Sequence, residues 1–299
     1  MISRRQILTG LGSLALPACR GEGCAASAAP SAAPWKELAF EPGADAPDGQ
    51  RALLLTPEGA AELPVLVALH GRGESVRGKE AGARGWRDDY RVDRLLRRLR
   101  APPLAKGDLE NLVEEGRLAQ LNTSLKNEPF RGLVLATPFT PDPADRSLDG
   151  ARPFARFVVE RLLPRVRAEA KNAAGREATG IDGVSLGGRL ALLVGFLHPE
   201  VFGAVGALQP AIRLNEAPMF AGLAKEATRK KDVSLRLVSS ELDPFLPAIK
   251  AFSRELRKEG VAHEMHVTPG PHDYVWNRGP GGAEMLLWHE RVQRGLGPP

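Results

Sequence analysis

The sequence predicts an α/β fold, a mostly parallel sheet flanked by helices, on three observations. From Trp35 onward, short apolar runs of β-type composition alternate with longer amphipathic stretches. Several of those runs are continuously apolar, as strands covered on both faces must be. Nothing recurs at a fixed period, which excludes a repeat architecture.

The chain opens on an address. Ser3-Arg4-Arg5-Gln6-Ile7-Leu8 leads into an apolar segment over residues 7–16 that is too short to span a bilayer. The paired arginines resemble a twin-arginine export signal, which implies a periplasmic or secreted protein exported in folded form. Leu16-Pro17-Ala18-Cys19 resembles a lipoprotein box, with Cys19 as the acylation point and the only predicted route to a membrane. The competing expectation is cleavage in the Ala-rich stretch at 25–33, which discards both Cys19 and Cys24. These are the only two cysteines, so neither a disulfide framework nor a cysteine metal site can hold the fold. Residues 1–33 are therefore set aside as export signal and linker, and 34–299 as one domain.

Strands are expected at 51–56, 64–69, 132–137, 179–184, 203–208, 234–239 and 263–268. Helices are expected at 153–171, kinked or ended by Pro164, and at 186–197, 247–259 and 282–294. About sixty residues separate the strand ending at Leu69 from the next, far more than a crossover needs, so residues 74–130 read as a lid-like or capping insertion over one sheet edge. Within it Val92, Leu95, Leu96 and Leu99 share one helical face and Arg91, Arg94 and Arg98 another. Asp88 or Asp89 is a candidate cap and Pro102-Pro103 a stop. The arginine row reads either as an anion-attracting rim or, in the favoured reading, as a solvated face.

Charge excludes some partners. Forty-one basic against thirty-six acidic residues leave +5, of which the leader contributes Arg4, Arg5 and Arg20 against Glu22, so the domain carries only +3. An excess that small does not call for nucleic acid. The domain is expected to act as a monomer on a small molecule.

The chemistry concentrates in Gly183-Val184-Ser185-Leu186-Gly187-Gly188, which follows an apolar strand and precedes an apolar helix. This is the nucleophile-elbow pattern G-x-S-x-G. A serine in so tight a strand-to-helix turn is strained, and Gly183 and Gly187 give strand and helix room to approach. Helix amides then point toward an oxyanion near Ser185. Partners follow in the order Ser, acid, His: Asp243 in Ser240-Glu241-Leu242-Asp243-Pro244 and His272 in Pro269-Gly270-Pro271-His272-Asp273, both just past strand ends. Serine needs a base at neutral pH, and that base needs a carboxylate to fix its tautomer. Glu241 competes with Asp243 for the orienting role.

His70-Gly71-Arg72-Gly73 follows the strand ending at Leu69, where this architecture supplies a second oxyanion amide; the donors are assigned to the backbone of Leu186 and Arg72. The remaining signals have structural readings. His70 shapes a loop, and His198 and His289 lie at or within helices. His263 and His266, three apart on a strand, face opposite sides and make a poor metal pair. Residues 73–79 spell most of a P-loop, but Glu80 stands where Ser or Thr is needed, and the nucleotide-binding reading is set aside. Trp86, Tyr90, Phe139 and Trp276 read as packing or as the walls of an apolar pocket.

With these residues in view, the stretch 51–294 resembles the putative-esterase branch of the α/β-hydrolase superfamily, the group of feruloyl, enterobactin and esterase-D-like hydrolases. The resemblance rests on the His70-Gly71 loop, the elbow, His198-Pro199-Glu200-Val201-Phe202-Gly203-Ala204-Val205, Leu242-Asp243-Pro244 and Gly270-Pro271-His272. It implies an α/β-hydrolase fold and serine-esterase hydrolysis of carboxylic esters through an acyl-enzyme, without metal or cofactor. The segment around Asp243 is also similar to the phospholipase/carboxylesterase branch. Departures are the long insertion after His70 and Gln209-Pro210-Ala211, both where substrate would bind. A peptidase or acyltransferase uses the same residues, and a non-catalytic exported binding protein can keep the same fold.

Overall fold

The structure, a computed structural model, describes residues 35–57, 62–170 and 175–299, so the expected export signal, the expected lipobox at Cys19 and the Ala-rich stretch at 25–33 lie outside the described residues. Eight strands form one sheet: β1 (Trp35–Phe40), β2 (Gln50–Leu55), β3 (Val65–Leu69), β4 (Val134–Pro138), β5 (Thr179–Gly183), β6 (Ala204–Leu208), β7 (Ser234–Leu242) and β8 (Glu264–Pro271). Their order is β1-β2-β4-β3-β5-β6-β7-β8; β2 runs antiparallel to both β1 and β4, and every other pairing is parallel.

The continuous apolar strands behave as strands with two covered faces. In β3, Val65, Val67 and Leu69 enter one core cluster and Leu66 and Ala68 the other, because successive side chains leave opposite faces of the pleat. The first cluster is closed by the helices Leu186–Leu197, Ala217–Lys230 and Leu246–Lys258, and by a long helical segment from Leu148 to Ala170. That segment does not end at Pro164. Its turn widens to a π-helix over Phe157–Leu162 and then resumes as Leu163–Ala170, since proline cannot donate to the preceding turn.

The insertion sits differently from the sequence expectation. Its helices Val92–Arg100 and Glu115–Asn127 join the C-terminal helix Gly282–Gln293 on the second face, where Leu95, Leu96, Leu99, Leu121 and Leu125 pack beneath Leu286 and Leu287. The segment thus covers a sheet face, because an apolar stripe of that width needs a large apolar partner. Neither Asp88 nor Asp89 caps the Val92 helix; its N-cap is Arg91, with left-handed backbone at φ +51°. The arginine row serves its own loop: Arg94 binds Glu110 and the Gly107 carbonyl, and Arg98 binds Asp108 and the Pro103 carbonyl.

Besides the short helices Arg72–Ser75, Lys79–Ala83, Gly85–Asp88 and Tyr274–Trp276, three longer elements escape the sequence pattern. β1 is a half-buried edge strand carrying Lys36 and Glu37, and Glu115–Asn127 and Ala217–Lys230 carry weak apolar periodicity. No helix among the described residues is long and apolar enough to cross a membrane.

Candidate active site

Ser185 sits where β5 turns into the helix Leu186–Leu197, at φ +57° and ψ −115°, a left-handed-side backbone that costs a non-glycine residue on the order of 1–3 kcal/mol. Neighbours hold it there. The Ser185 amide donates to the Leu208 carbonyl at 2.9 Å, and its carbonyl accepts from the Ala211 and Arg189 amides at 2.9 and 3.0 Å. The flanking glycines are sterically required. A Cβ on Gly187 would meet the His70 and Leu69 carbonyl oxygens at 2.5 Å, and one on Gly183 would meet Gly187 backbone at 2.6 Å.

Asp243 and His272 emerge from the carboxyl ends of β7 and β8, which are adjacent strands. A bulge between Ser240 and Leu242 lets the chain leave the sheet just before the acid. Asp243 Oδ1 lies 2.9 Å from His272 Nδ1 and accepts the Phe245 amide at 2.9 Å, while Oδ2 accepts the Ser239 hydroxyl at 2.6 Å. The Asp243 carboxylate is fully buried, so its charge is held by hydrogen bonds alone. With Nδ1–H donating to that carboxylate, Nε2 is left as the basic nitrogen. Glu241, the competing acid, is exposed.

Ser185 and His272 line one cavity of about 200 Å³, with Gly71, Arg72, Glu74, Tyr90, Tyr274 and Asn277 around them. Among the described residues no hydrogen bond joins the Ser185 hydroxyl to the His272 ring. Arg72 and Leu186 are each the first residue of a helix, so neither amide has a partner within its own helix and both are free to donate outward. The Arg72 guanidinium turns away and pairs with Asp142 at 2.7 Å.

The loop carrying Arg72 is fixed from below. His70 is completely buried; its Nδ1 faces the Gly71 carbonyl at 2.9 Å and its Nε2 accepts the Thr140 amide at 2.8 Å. Burial lowers its pKa to about 4, so the ring stays neutral and keeps both contacts. Gly71 donates its amide to Tyr90 Oη at 3.1 Å, and Tyr90 Oη donates to Glu74 Oε2 at 2.5 Å. Burial and the Glu74 charge push the Tyr90 phenol well above its usual range; the same two causes push Tyr274 up to about 12. Both stay protonated donors.

Other singled-out residues lie elsewhere. His198 faces Glu200 on the surface, His263 bonds Ser253, and His266 lies near Glu264. His289 is buried against Asp182 beneath the elbow strand at 3.1 Å. Asp273 caps the turn at Trp276 through its amide at 2.9 Å. Trp86 and Trp276 are core, so of the four aromatics only Tyr90 reaches the cavity. Residues 73–79 are split between the short helices Arg72–Ser75 and Lys79–Ala83, not wrapped as a phosphate loop.

The sequence reasoning missed Glu74, Tyr274, Ser239 and Gln209. Gln209 is the least expected: buried, at φ +43°, its Nε2 donates to Ser240 Oγ at 2.6 Å and to the Pro271 carbonyl at 3.0 Å. It ties the strand ends that carry Asp243 and His272 to the strand beside the elbow. The departure at Gln209-Pro210-Ala211 was its only signal.

Residues 142–278 match the protein family described as "Putative esterase". No curated protein sequence matches the chain. Among solved structures, a ferulic acid esterase superposes with a TM-score of 0.62 at 16% identity, over 87% of this chain and 98% of the other. S-formylglutathione hydrolase from Staphylococcus aureus gives 0.56 at 12%, over 87% and 98%. Enterobactin esterase from Shigella flexneri gives 0.54 at 17%, over 83% of this chain and 57% of the other. The chain has the α/β-hydrolase fold of these structures, and the segment that matches the family model contains the elbow and the Asp243 and His272 loops.

Proposed function

We propose that the chain is a serine hydrolase that cleaves carboxylic esters, with Ser185 as nucleophile, His272 as base and Asp243 as the acid that orients it. The observation that carries this reading is the 2.9 Å contact between His272 Nδ1 and a buried Asp243 carboxylate, at the rim of the cavity that Ser185 also lines. The esterase-family match and the esterase neighbours support the reaction class.

In this mechanism His272 Nε2 takes the Ser185 proton as the hydroxyl oxygen attacks the ester carbonyl. Asp243 steadies the imidazolium that forms. The Leu186 and Arg72 amides donate to the tetrahedral oxyanion, each worth about 3–4 kcal/mol of barrier. His272 then protonates the departing alcohol. Water enters, gives its proton to His272, and attacks the acyl-enzyme; the acid leaves and Ser185 regains its proton. The missing serine–histidine hydrogen bond is compatible with this, since such contacts tighten once substrate is bound.

Ser185→Ala should stay folded by circular dichroism and lose about 10⁶-fold in turnover of p-nitrophenyl acetate. Hydrolysis at the wild-type rate by that variant overturns the assignment. A fluorophosphonate probe should label the wild type at Ser185 and leave the variant unlabelled.

The same proposal places the enzyme outside the cytoplasm, on the strength of Ser3-Arg4-Arg5 and the apolar segment behind it. Mass spectrometry of the mature protein tests this: a terminus beyond Cys24 is expected from cleavage in the Ala-rich stretch, and a diacylated Cys19 indicates an anchor. An intact Met1 in protein recovered from the native host contradicts export.

A further inference from the structure

The catalytic cavity is small. At about 200 Å³ it falls below the roughly 300–1,000 Å³ of sites that enclose a whole drug-sized ligand, so it takes only one side of an ester. A second and larger groove, of about 730 Å³, lies beside it. Two contacts tie the groove to the elbow. Asp142 in its wall holds Arg72 of the catalytic cavity at 2.7 Å, and Ala211, also in its wall, donates its amide to the Ser185 carbonyl at 2.9 Å.

The groove is cationic in a specific way. Its lining and the Arg72 junction carry four guanidinium groups, from Arg72, Arg146, Arg189 and Arg213, against the carboxylates of Asp142 and Glu216. Both carboxylates are consumed: Asp142 by Arg72 and Arg146, each at 2.7 Å, and Glu216 by Arg189 through both oxygens at 2.7 and 2.8 Å. Arg189 is itself closed off by the Arg146 and Ala211 carbonyls. What remains is Arg213, whose guanidinium makes no ion pair or hydrogen bond among the described residues, and the outward side of the half-exposed Arg146. Along the wall, Leu148, Leu223 and the 40%-exposed Met219 offer apolar surface.

We infer that this groove binds the part of the ester beyond the scissile bond, and that its natural substrate carries there an apolar stem ending in an anionic group recognised by Arg213 and Arg146. A cationic tail meets no free carboxylate among the described residues that line the groove. A neutral tail gains the apolar wall and leaves the arginines solvated. The inference rests on the hydrolase reading for which ester side reacts, but the groove can be tested without turnover.

The probes are the acetyl ester of 4-(4-hydroxyphenyl)butanoate and the matching butanamide, identical except for the charge. For the wild type, kcat/KM should favour the acid about fivefold, the size of a good exposed ion pair, and the preference should shrink as salt rises. Arg213→Gln and Arg146→Gln should each cut it, and the double variant should bring it below twofold, through KM for the acid. Equal kcat/KM for acid and amide in the wild type, or a preference that survives the double variant, overturns the inference. Calorimetry with 4-(4-hydroxyphenyl)butanoate and folded Ser185→Ala reads the groove directly. Binding weakened by Arg213→Gln in that background supports the inference even if p-nitrophenyl acetate is not hydrolysed, and no binding contradicts it even if that ester is turned over. The two readings therefore fail separately.

Discussion

His272 Nδ1 and Asp243 Oδ1 lie 2.9 Å apart, and the same carboxylate is held by the Ser239 hydroxyl and the Phe245 amide. The acid is thus fixed before the histidine reaches it, which makes its charge and its geometry separable by mutation.

Asp243→Asn preserves the shape but presents an amide to His272, favouring the wrong tautomer. Turnover of p-nitrophenyl acetate should fall about 10⁴-fold with little change in stability. Glu241→Gln, at an exposed site, should stay within about twofold. If Glu241→Gln is the more damaging change, the acid has been misassigned.

Gly187→Ala pushes a methyl into two backbone carbonyl oxygens at 2.5 Å, which cannot swing aside as a side chain can. The expected cost is at least about 1–3 kcal/mol, with the Ser185 turn displaced and activity lost. Gly222→Ala is the control, since a Cβ there meets nothing within 4 Å. It should be neutral or slightly stabilising in the helix Ala217–Lys230. Urea midpoints of the two variants measure the difference.

Acid should destabilise the fold earlier than carboxylates alone would. His70 titrates at about 4 when folded against 6.5 when free, so between those values the unfolded chain binds the extra proton. Its contribution is complete above pH 6.5 and drains as pH falls toward 4, by up to about 3 kcal/mol. Buried His289, also lowered by desolvation, adds in the same direction. Stability from urea unfolding at pH 7, 6, 5 and 4 should fall throughout. His70→Gln, whose side-chain oxygen can still accept the Thr140 amide, should flatten the slope, and an unchanged slope rejects the account.

Much of this was written locally. Seven strands, the elbow and the loops bearing Asp243 and His272 follow from apolar runs broken by Gly, Pro and Asp, because a doubly covered strand admits almost no polar residue and a tight strand-to-helix turn admits only small neighbours. Between Asp243 and Glu241 the sequence left the orienting acid open, and burial decides it: Asp243 is closed against His272 while Glu241 is exposed. Edge strand β1 and the helices Glu115–Asn127 and Ala217–Lys230 were less legible, since tertiary packing decides them more than periodicity does.

What only the tertiary structure decided are relations between distant residues. Residues 85–127 cover a sheet face rather than an edge because their apolar stripe meets the C-terminal helix, some 190 residues on in the chain for Leu95 and Leu286. Gln209 joins three strand ends, and Tyr90 anchors Gly71, through hydrogen bonds that leave no trace in local composition. A groove in which the Arg213 guanidinium has no partner among the described residues is likewise a sum over partners: sequence supplies the charges, and only folding determines which of them are already spent.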